Sequence, residues 1–482
     1  MYKAVKLLFL ALIFGNLFVS CSEDMDDVIE PAGTDEIKDF IWRGMNNIYL
    51  YKADVPELAD DRFENQEELN EFLDNFATPE SLFYDGLVAP QDRFSFLVDN
   101  YIELEQAFEG ISVANGMQYG LVRLSSTSDL VIGYVRYVLP NTSAAEQGVE
   151  RGDLFNTVDG EQMTLDNYSR VLEPDSYTIG LAEINNSEIV PTGEEVTLEK
   201  VQFTEDPVFL AKTLETTQGK VGYLMYNSFT RPFDPQLNEA FGFFQSEGIT
   251  ELIVDLRYNG GGSVETAVDL SSMITGQFEG EVFAREQWNE DYQAYFEENE
   301  PERLSNLFND VISNGEGINS LGLSKVYIIT TLRTASASEL VINGLTPYIE
   351  VVQVGETTTG KFQASVTLYD SEDFGREGAN PGHTYAIQPL IFKTLNAEGT
   401  TDYINGLAPN VEIAEDVLNL GILGDPTEPL LQAALNHIEG IPQQATKGMQ
   451  RIFKSVGESG MDDILYQKMY INELPFQFEL KN

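Results

Sequence analysis

The run Thr334-Ala335-Ser336-Ala337-Ser338-Glu339-Leu340 sets a serine among small neighbours, and a Gly-Lys step, Gly360-Lys361, follows 25 residues after that serine. A serine hydroxyl is a weak nucleophile until a neighbouring base takes its proton. The two histidines, His383 and His437, stand in no recognisable triad motif, so if Ser336 reacts, Lys361 is the group to activate it. To accept a proton at neutral pH that amine must fall several units below its ordinary pKa of about 10.4. Burial in an apolar pocket that excludes carboxylates does this, because desolvation disfavours the charged form. His383, in a loop with Pro381 and Gly382, reads as exposed and without partners. No histidine-carboxylate spacing suggests a metal site, and Cys21 is the only cysteine, so neither a cysteine metal cluster nor an internal disulfide is expected.

The elements that must position these residues follow from the hydrophobic pattern. Residues 205–440 alternate strands and helices, as in an α/β domain. Val221–Tyr226 reads as a strand, and Asp234-Pro235 as an N-cap and first-turn proline of a helix running to about 245. Leu252–Leu256 is a short apolar run closed by a turn, hence a buried strand. The turn Asn259-Gly260-Gly261-Gly262-Ser263 comes next, then a helix over 264–274; without a Walker Lys-Ser pair it does not read as a phosphate loop. Val326–Thr330 is a strand leading straight to Ser336. Residues 278–320, acidic and carrying Trp288, Tyr292, Tyr295 and Phe296, read as a peripheral helical elaboration. Upstream, 35–111 is helical, with Ile41, Trp42, Met45, Ile48 and Tyr49 at helical spacing, whereas 112–204 breaks into short strands and turns. Residues 441–482 form a tail with no chemical signature.

Four blocks in order carry a resemblance. They are a turn at Pro140–Asp153 with Val158-Asp159-Gly160; Asp255-Leu256-Arg257-Tyr258-Asn259-Gly260-Gly261-Gly262; Ala335–Glu339; and Gly355–Lys361, with a late Gly406-Leu407-Ala408-Pro409-Asn410-Val411. Together they resemble the carboxy-terminal processing (tail-specific) serine proteases over about residues 112–435, and Asp92-Arg93-Phe94-Ser95-Phe96 resembles the lipoprotein branch of that family. The resemblance implies a crotonase-like α/β core at 205–440, an inserted PDZ-like β-rich domain at 112–204 and a small helical N-terminal domain at 35–111. It implies Ser336 as nucleophile, Lys361 as proton shuttle, and an oxyanion hole from the backbone N–H of Ala337 and of the glycine loop at Gly261 and Gly262. Many members place a glutamine four positions after the lysine; that position is Ser365 here, with Gln363 two after Lys361, and either orients the lysine or neither does. Glu339 matches a glutamate assigned a structural part. Tyr119, Gly120 and Leu121 fall where a PDZ-like domain holds a peptide carboxylate, so the expected partners are proteins or peptides with exposed C-termini, and no cofactor is required. The rival expectation is a non-catalytic peptide- or lipid-binding surface lipoprotein on the same fold.

Composition bounds the setting. The 28 basic residues against 79 acidic ones leave a net charge of −51, a field that repels nucleic acid. Lys3 and Lys6 precede an apolar stretch, Leu7–Val19, that is short for a membrane span and reads as a signal peptide over 1–20. It ends in Phe18-Val19-Ser20-Cys21, which resembles a bacterial lipobox with Cys21 as the lipidated residue, and 21–34 follows as an acidic tether. That tether resembles the surface-export signals of Bacteroidetes lipoproteins. The expectation is a lipid-anchored envelope protein at the outer membrane, open to the outside; oligomeric state is not specified.

Overall fold

The computed structural model describes residues 30–474 except 124, 126, 186–187 and 443–452. Residues 1–20, Cys21 and most of the acidic stretch 21–34 lie outside the described residues. Helix α1 (Thr34–Ile48) opens the described chain, with Asp35 and Glu36 in its first turn, where acidic side chains complement the helix dipole. Its apolar face (Ile37, Phe40, Ile41, Met45, Ile48) is buried. Gly44 sits in that face because a Cβ there would lie 2.7 Å from Ile387 Cδ1. This face belongs to one hydrophobic cluster with Leu224, Val254, Leu340 and Ile387. The helical N-terminal unit therefore packs its apolar side chains, from Ile37 to Phe94, into the main core; Phe96, Val98, Tyr101 and Leu104 belong to a smaller cluster with Tyr369 and Ala386, and Phe96–Val98 is a strand antiparallel to Ala386–Gln388.

A β-rich module follows: β1 (Met117–Arg123), β2 (Val131–Val138), β3 (Leu154–Val158), a short helix α2 (Tyr168–Leu172), β4 (Ser176–Asn185) and β5 (Glu188–Glu199). The strands pair antiparallel in the order β1-β2-β3-β4-β5 over a core of their own that includes Leu121, Val135, Phe155, Ile179 and Leu198.

The α/β part contains β6 (Val208–Thr216), β7 (Gly219–Tyr226), α3 (Asp234–Glu247), β8 (Glu251–Asp255), α4 (Val264–Thr275), β9 (Val282–Trp288), α5 (Glu290–Asn299), β10 (Lys325–Thr330), α6 (Ala337–Leu345), β11 (Glu350–Gly355), β12 (Gln363–Ser365), β13 (Leu390–Asn396), β14 (Val411–Glu412) and α7 (Pro429–Ile438). One sheet runs β6-β7-β8-β10-β11-β14, antiparallel only at β6–β7. Strands β8 and β10 are buried on both faces, which is why they read as unbroken apolar runs. Neighbours β8, β10 and β11 each end at one of the sequence blocks: the glycine loop, the Ser336 loop and the Lys361 loop. Open α/β sheets gather their sites at the carboxyl ends of parallel strands.

Three sequence expectations change. Asp234 is the first helical residue of α3 rather than its cap, and its buried carboxylate accepts a hydrogen bond from Thr266 Oγ1 at 2.8 Å. The 278–320 stretch is not peripheral: β9 pairs with β13, and Trp288 and Phe296 enter the main core. Nor is the 441–482 stretch a loose tail. Its described part supplies β15 (Lys454–Glu458), paired antiparallel with β1, and β16 (Met469–Tyr470), which joins Gly262–Ser263 and β12 in a second sheet.

Candidate active site

The three loops are stitched together by buried polar groups. Arg257, fully buried, forks onto Asp255 (2.7 Å) and Glu428 (2.7 Å), and Glu428 also accepts from Leu431 N at the start of α7. Its pKa is pushed well above the usual guanidinium value: burial opposes the charge, but Asp255 and Glu428 outweigh it. Asn259 ties the glycine loop to its surroundings. Its Nδ2 donates to Tyr226 O, its Oδ1 accepts from Gly261 N, and its carbonyl accepts from Ala335 N and Ser338 Oγ.

Glu339 joins the serine loop to the lysine loop. Oε2 accepts from Ser336 N and Lys361 N (2.8 Å each), while Oε1 accepts from Gly360 N (2.7 Å) and Thr358 Oγ1 (2.5 Å). Burial raises its pKa, and the four hydrogen bonds pull it back toward the ionised form. One carboxylate thus sets two residues 25 apart in sequence side by side.

Ser336 occupies φ +66°, ψ −118°, a region that costs a non-glycine residue about 1–3 kcal/mol and persists only where surroundings enforce it. Its side chain is fully buried, and Oγ has no protein hydrogen-bond partner. Lys361 is also fully buried, and Nζ has no protein partner; it lies 5.2 Å from the centre of the Phe94 ring. Burial pushes its pKa well below the ordinary lysine value, the charge of Lys468 pushes the same way, and Asp92 and Glu339 oppose more weakly. The Lys361 pocket is therefore apolar in the way base chemistry needs. It does not exclude carboxylates, however; desolvation outweighs them.

The other expected residues divide. A Cβ on Gly261 would stand 2.5 Å from Ser336 Cβ and 3.0 Å from Ala337 N, so only glycine, here at φ +109°, lets this loop close on the serine. Its N–H, however, is held by Asn259 Oδ1 at 2.9 Å, so Gly261 contributes space and not the expected oxyanion donor. Gly262, at φ +136°, adjoins Phe229 O. Ala337 N is one of the first α6 amides, which have no intrahelical acceptor. Neither expected lysine-orienting residue touches the amine: Gln363 donates to Tyr51 Oη (2.9 Å) and Ser365 to Met469 O (3.2 Å). Both lie on β12, whose pairing with β13 is irregular between Ala364 and Ser365, and each side chain is taken by another partner. His383 is not a free exposed ring; its Nε2 lies 3.1 Å from Asp370 and its side chain is 5% exposed. Tyr119, Gly120 and Leu121 lie in β1, paired with β2 on one side and β15 on the other.

Sequence reasoning missed two site residues. Phe94 was noted only within a resemblance block; it roofs the Lys361 amine, and Arg93 beside it donates to Gly360 O. Lys468, from the supposed tail, donates to Phe94 O at 2.9 Å and stands 4.4 Å from the Phe96 ring. Its pKa is lowered to about 8 by burial, with Asp92 opposing. Nothing in its local sequence marks it.

Fold and site together define a mixed α/β protein whose buried serine and buried, charge-averse lysine lie on loops that follow neighbouring parallel strands and are joined through Glu339. Residues 220–413 match the model of peptidase family S41, and 36–96 match that of the peptidase S41 N-terminal domain. The chain belongs to peptidase family S41. It is 26% identical over 299 residues to a chloroplastic C-terminal processing peptidase of Tetradesmus obliquus, and 22% over 304 residues to a carboxyl-terminal-processing protease of Picosynechococcus. These alignments span 59% and 62% of this chain, and 57% and 64% of the relatives' own lengths. Among solved structures, a Bacteroides fragilis chain assigned to the S41 proteases matches with a TM-score of 0.66 at 26% identity, covering 84% of this chain and 98% of that one.

Proposed function

We propose that the protein is a serine endopeptidase of the carboxy-terminal processing type. The observation that carries this reading is that two fully buried polar groups without a hydrogen-bond partner, Ser336 Oγ and Lys361 Nζ, belong to loops joined by one carboxylate. The neutral Lys361 amine takes the Ser336 proton as Oγ bonds to a peptide carbonyl carbon. Negative charge develops on the carbonyl oxygen, and the Ala337 N–H stabilises it, a donor of this kind being worth about 3 kcal/mol. As the C–N bond breaks, the Lys361 ammonium returns its proton to the leaving amine. Water, deprotonated by the same lysine, then releases the acyl group as a carboxylate. Ser336 has no exposure, so substrate entry requires movement of the residues that cover it.

The β-rich module reads as a PDZ-like domain that takes an extended peptide as an added strand on β1, at Tyr119–Leu121. Cys21 reads as a lipid-attachment site, which would hold the enzyme at the envelope surface; the outer leaflet of the outer membrane suits the acidic residues after it. The test is a serine-directed phosphonate with a panel of C-terminal peptides. Wild type should label and cleave; Ser336→Ala and Lys361→Ala should lose roughly 10³-fold or more in turnover. An unlabelled wild type that still binds peptide would replace the protease reading with the non-catalytic peptide- or lipid-binding lipoprotein. Radiolabelled palmitate incorporated by wild type and not by Cys21→Ser tests the anchor.

A further inference from the structure

Strand β15 adds to the outer edge of β1 and lies against α2. Its register pairs Lys454 with Arg123, Ser455 with Val122, Gly457 with Leu121 and Glu458 with Gly120. Val456 packs on the module's core, and its carbonyl accepts from Tyr168 Oη on α2 at 3.2 Å. The segment therefore runs antiparallel to β1, toward Tyr119, in the direction an added C-terminal peptide would take. At that end Ser459 stands in for a terminal carboxylate. Its Oγ accepts from Tyr119 N at 2.9 Å and donates to Gln118 Oε1 at 2.7 Å, while its N–H donates to Tyr119 O.

The same segment reaches the serine. Glu458 pairs with Arg136 on β2 (2.6 Å) and with Arg333, three residues before Ser336. Further on, Gln467 and Lys468 cross the glycine loop. Gln467 N lies 3.2 Å from where a Cβ on Gly260 would sit, Lys468 O lies 2.9 Å from that of Gly261, and Gln467 Nε2 donates to Thr359 Oγ1.

We propose that residues 454–459 are a built-in ligand of the β1–α2 groove, and that a protein C-terminus entering the groove must displace them. This rests on the PDZ-like reading above. Displacement breaks the Glu458 link to Arg333 and loosens the 460–468 stretch over the glycine loop, so groove occupancy and access to Ser336 are coupled. The partner chemistry is that of the resident strand: an extended backbone, a small apolar side chain at the Val456 position, and an oxygen acceptor for Tyr119 N.

The test uses the full chain and a fluorescein-labelled heptapeptide copying residues 453–459 with a free carboxylate. A groove-competent state populated in less than a tenth of molecules weakens apparent affinity at least tenfold. Val456→Asp, which cannot pack under Tyr168, should therefore bind the peptide at least tenfold more tightly than wild type and label faster with the phosphonate. A disulfide between Arg123→Cys and Lys454→Cys, in a Cys21→Ser background, should abolish peptide binding, and reductant should restore it. This pair keeps the question answerable if Val456→Asp does not fold. Equal peptide binding by wild type, Val456→Asp and the locked chain would overturn the proposal while leaving the protease reading intact. Tighter binding after release with no cleavage under any condition would do the reverse.

Discussion

Two polar clusters lie a few residues apart and are built on opposite terms. Around Arg257 and Glu339 every charged atom has a partner: Arg257 takes Asp255 and Glu428, and Glu339 accepts four donors. At Ser336 and Lys361 the hydroxyl and the amine have no protein partner, and the serine backbone sits at a positive φ. The satisfied pair holds the unsatisfied pair in place. Buried polar groups without partners each cost about 1–3 kcal/mol, and a fold keeps them only if surrounding contacts over-determine their positions. On the function proposed above, the contrast assigns stability to one cluster and reactivity to the other.

Breaking the satisfied side should have the larger effect on folding. Arg257→Met leaves Asp255 and Glu428 buried without their cation and is expected to destabilise by about 3–5 kcal/mol, read as a lowered denaturation midpoint with unchanged m-value. Glu339→Gln keeps the size but offers an NH₂ where an amide or hydroxyl donor now points at oxygen. Roughly 2–3 kcal/mol of stability should go, with turnover falling in the same variant because the serine and lysine loops separate.

The unsatisfied side should behave in reverse. Lys361→Met removes a buried amine without a partner and should stabilise the chain by about 1–3 kcal/mol while ending phosphonate labelling. The sign of its pH dependence follows from the lowered lysine pKa. Between that value and the ordinary one near 10.4 the unfolded chain binds more protons, so wild-type stability rises with pH across this window. The advantage of Lys361→Met is therefore full below the lowered pKa and shrinks as pH climbs toward the ordinary value; parallel melting curves across pH check it. The smallest effect is expected at Lys468. Lys468→Met removes a like charge that helps depress Lys361, so the acidic limb of the pH–rate profile should move to higher pH, and Lys468→Arg should restore it. An unmoved limb would mean that the Lys468 charge takes no part in lowering the Lys361 pKa.

Much of this was legible in advance for a local reason. Strands β8 and β10 announce themselves as apolar runs that lead into the glycine loop and the Ser336 loop, while Lys361 stands out by its spacing from Ser336, its flanking Gly360 and the family resemblance. Gln363 and Ser365 misled because counting from the lysine shows neither the irregular pairing of β12 between Ala364 and Ser365 nor the distant partners, Tyr51 and Met469, that take the two side chains. Gly261 misled because glycine marks a close approach and an available donor alike, and here Asn259 takes the donor. The stretches 278–320 and 441–482 looked peripheral since short strands without periodicity resemble loops until they pair.

The amino-acid order by itself determined the α/β core, the serine and lysine and their spacing, because these depend on runs of adjacent residues and on side-chain chemistry. Tertiary structure alone decided that Phe94 and Lys468, nearly the length of the chain apart, enclose the Lys361 amine, and that the segment after residue 453 fills the edge of β1. Desolvation and strand pairing are properties of what surrounds a group, and those surroundings exist only once distant parts of the chain have packed.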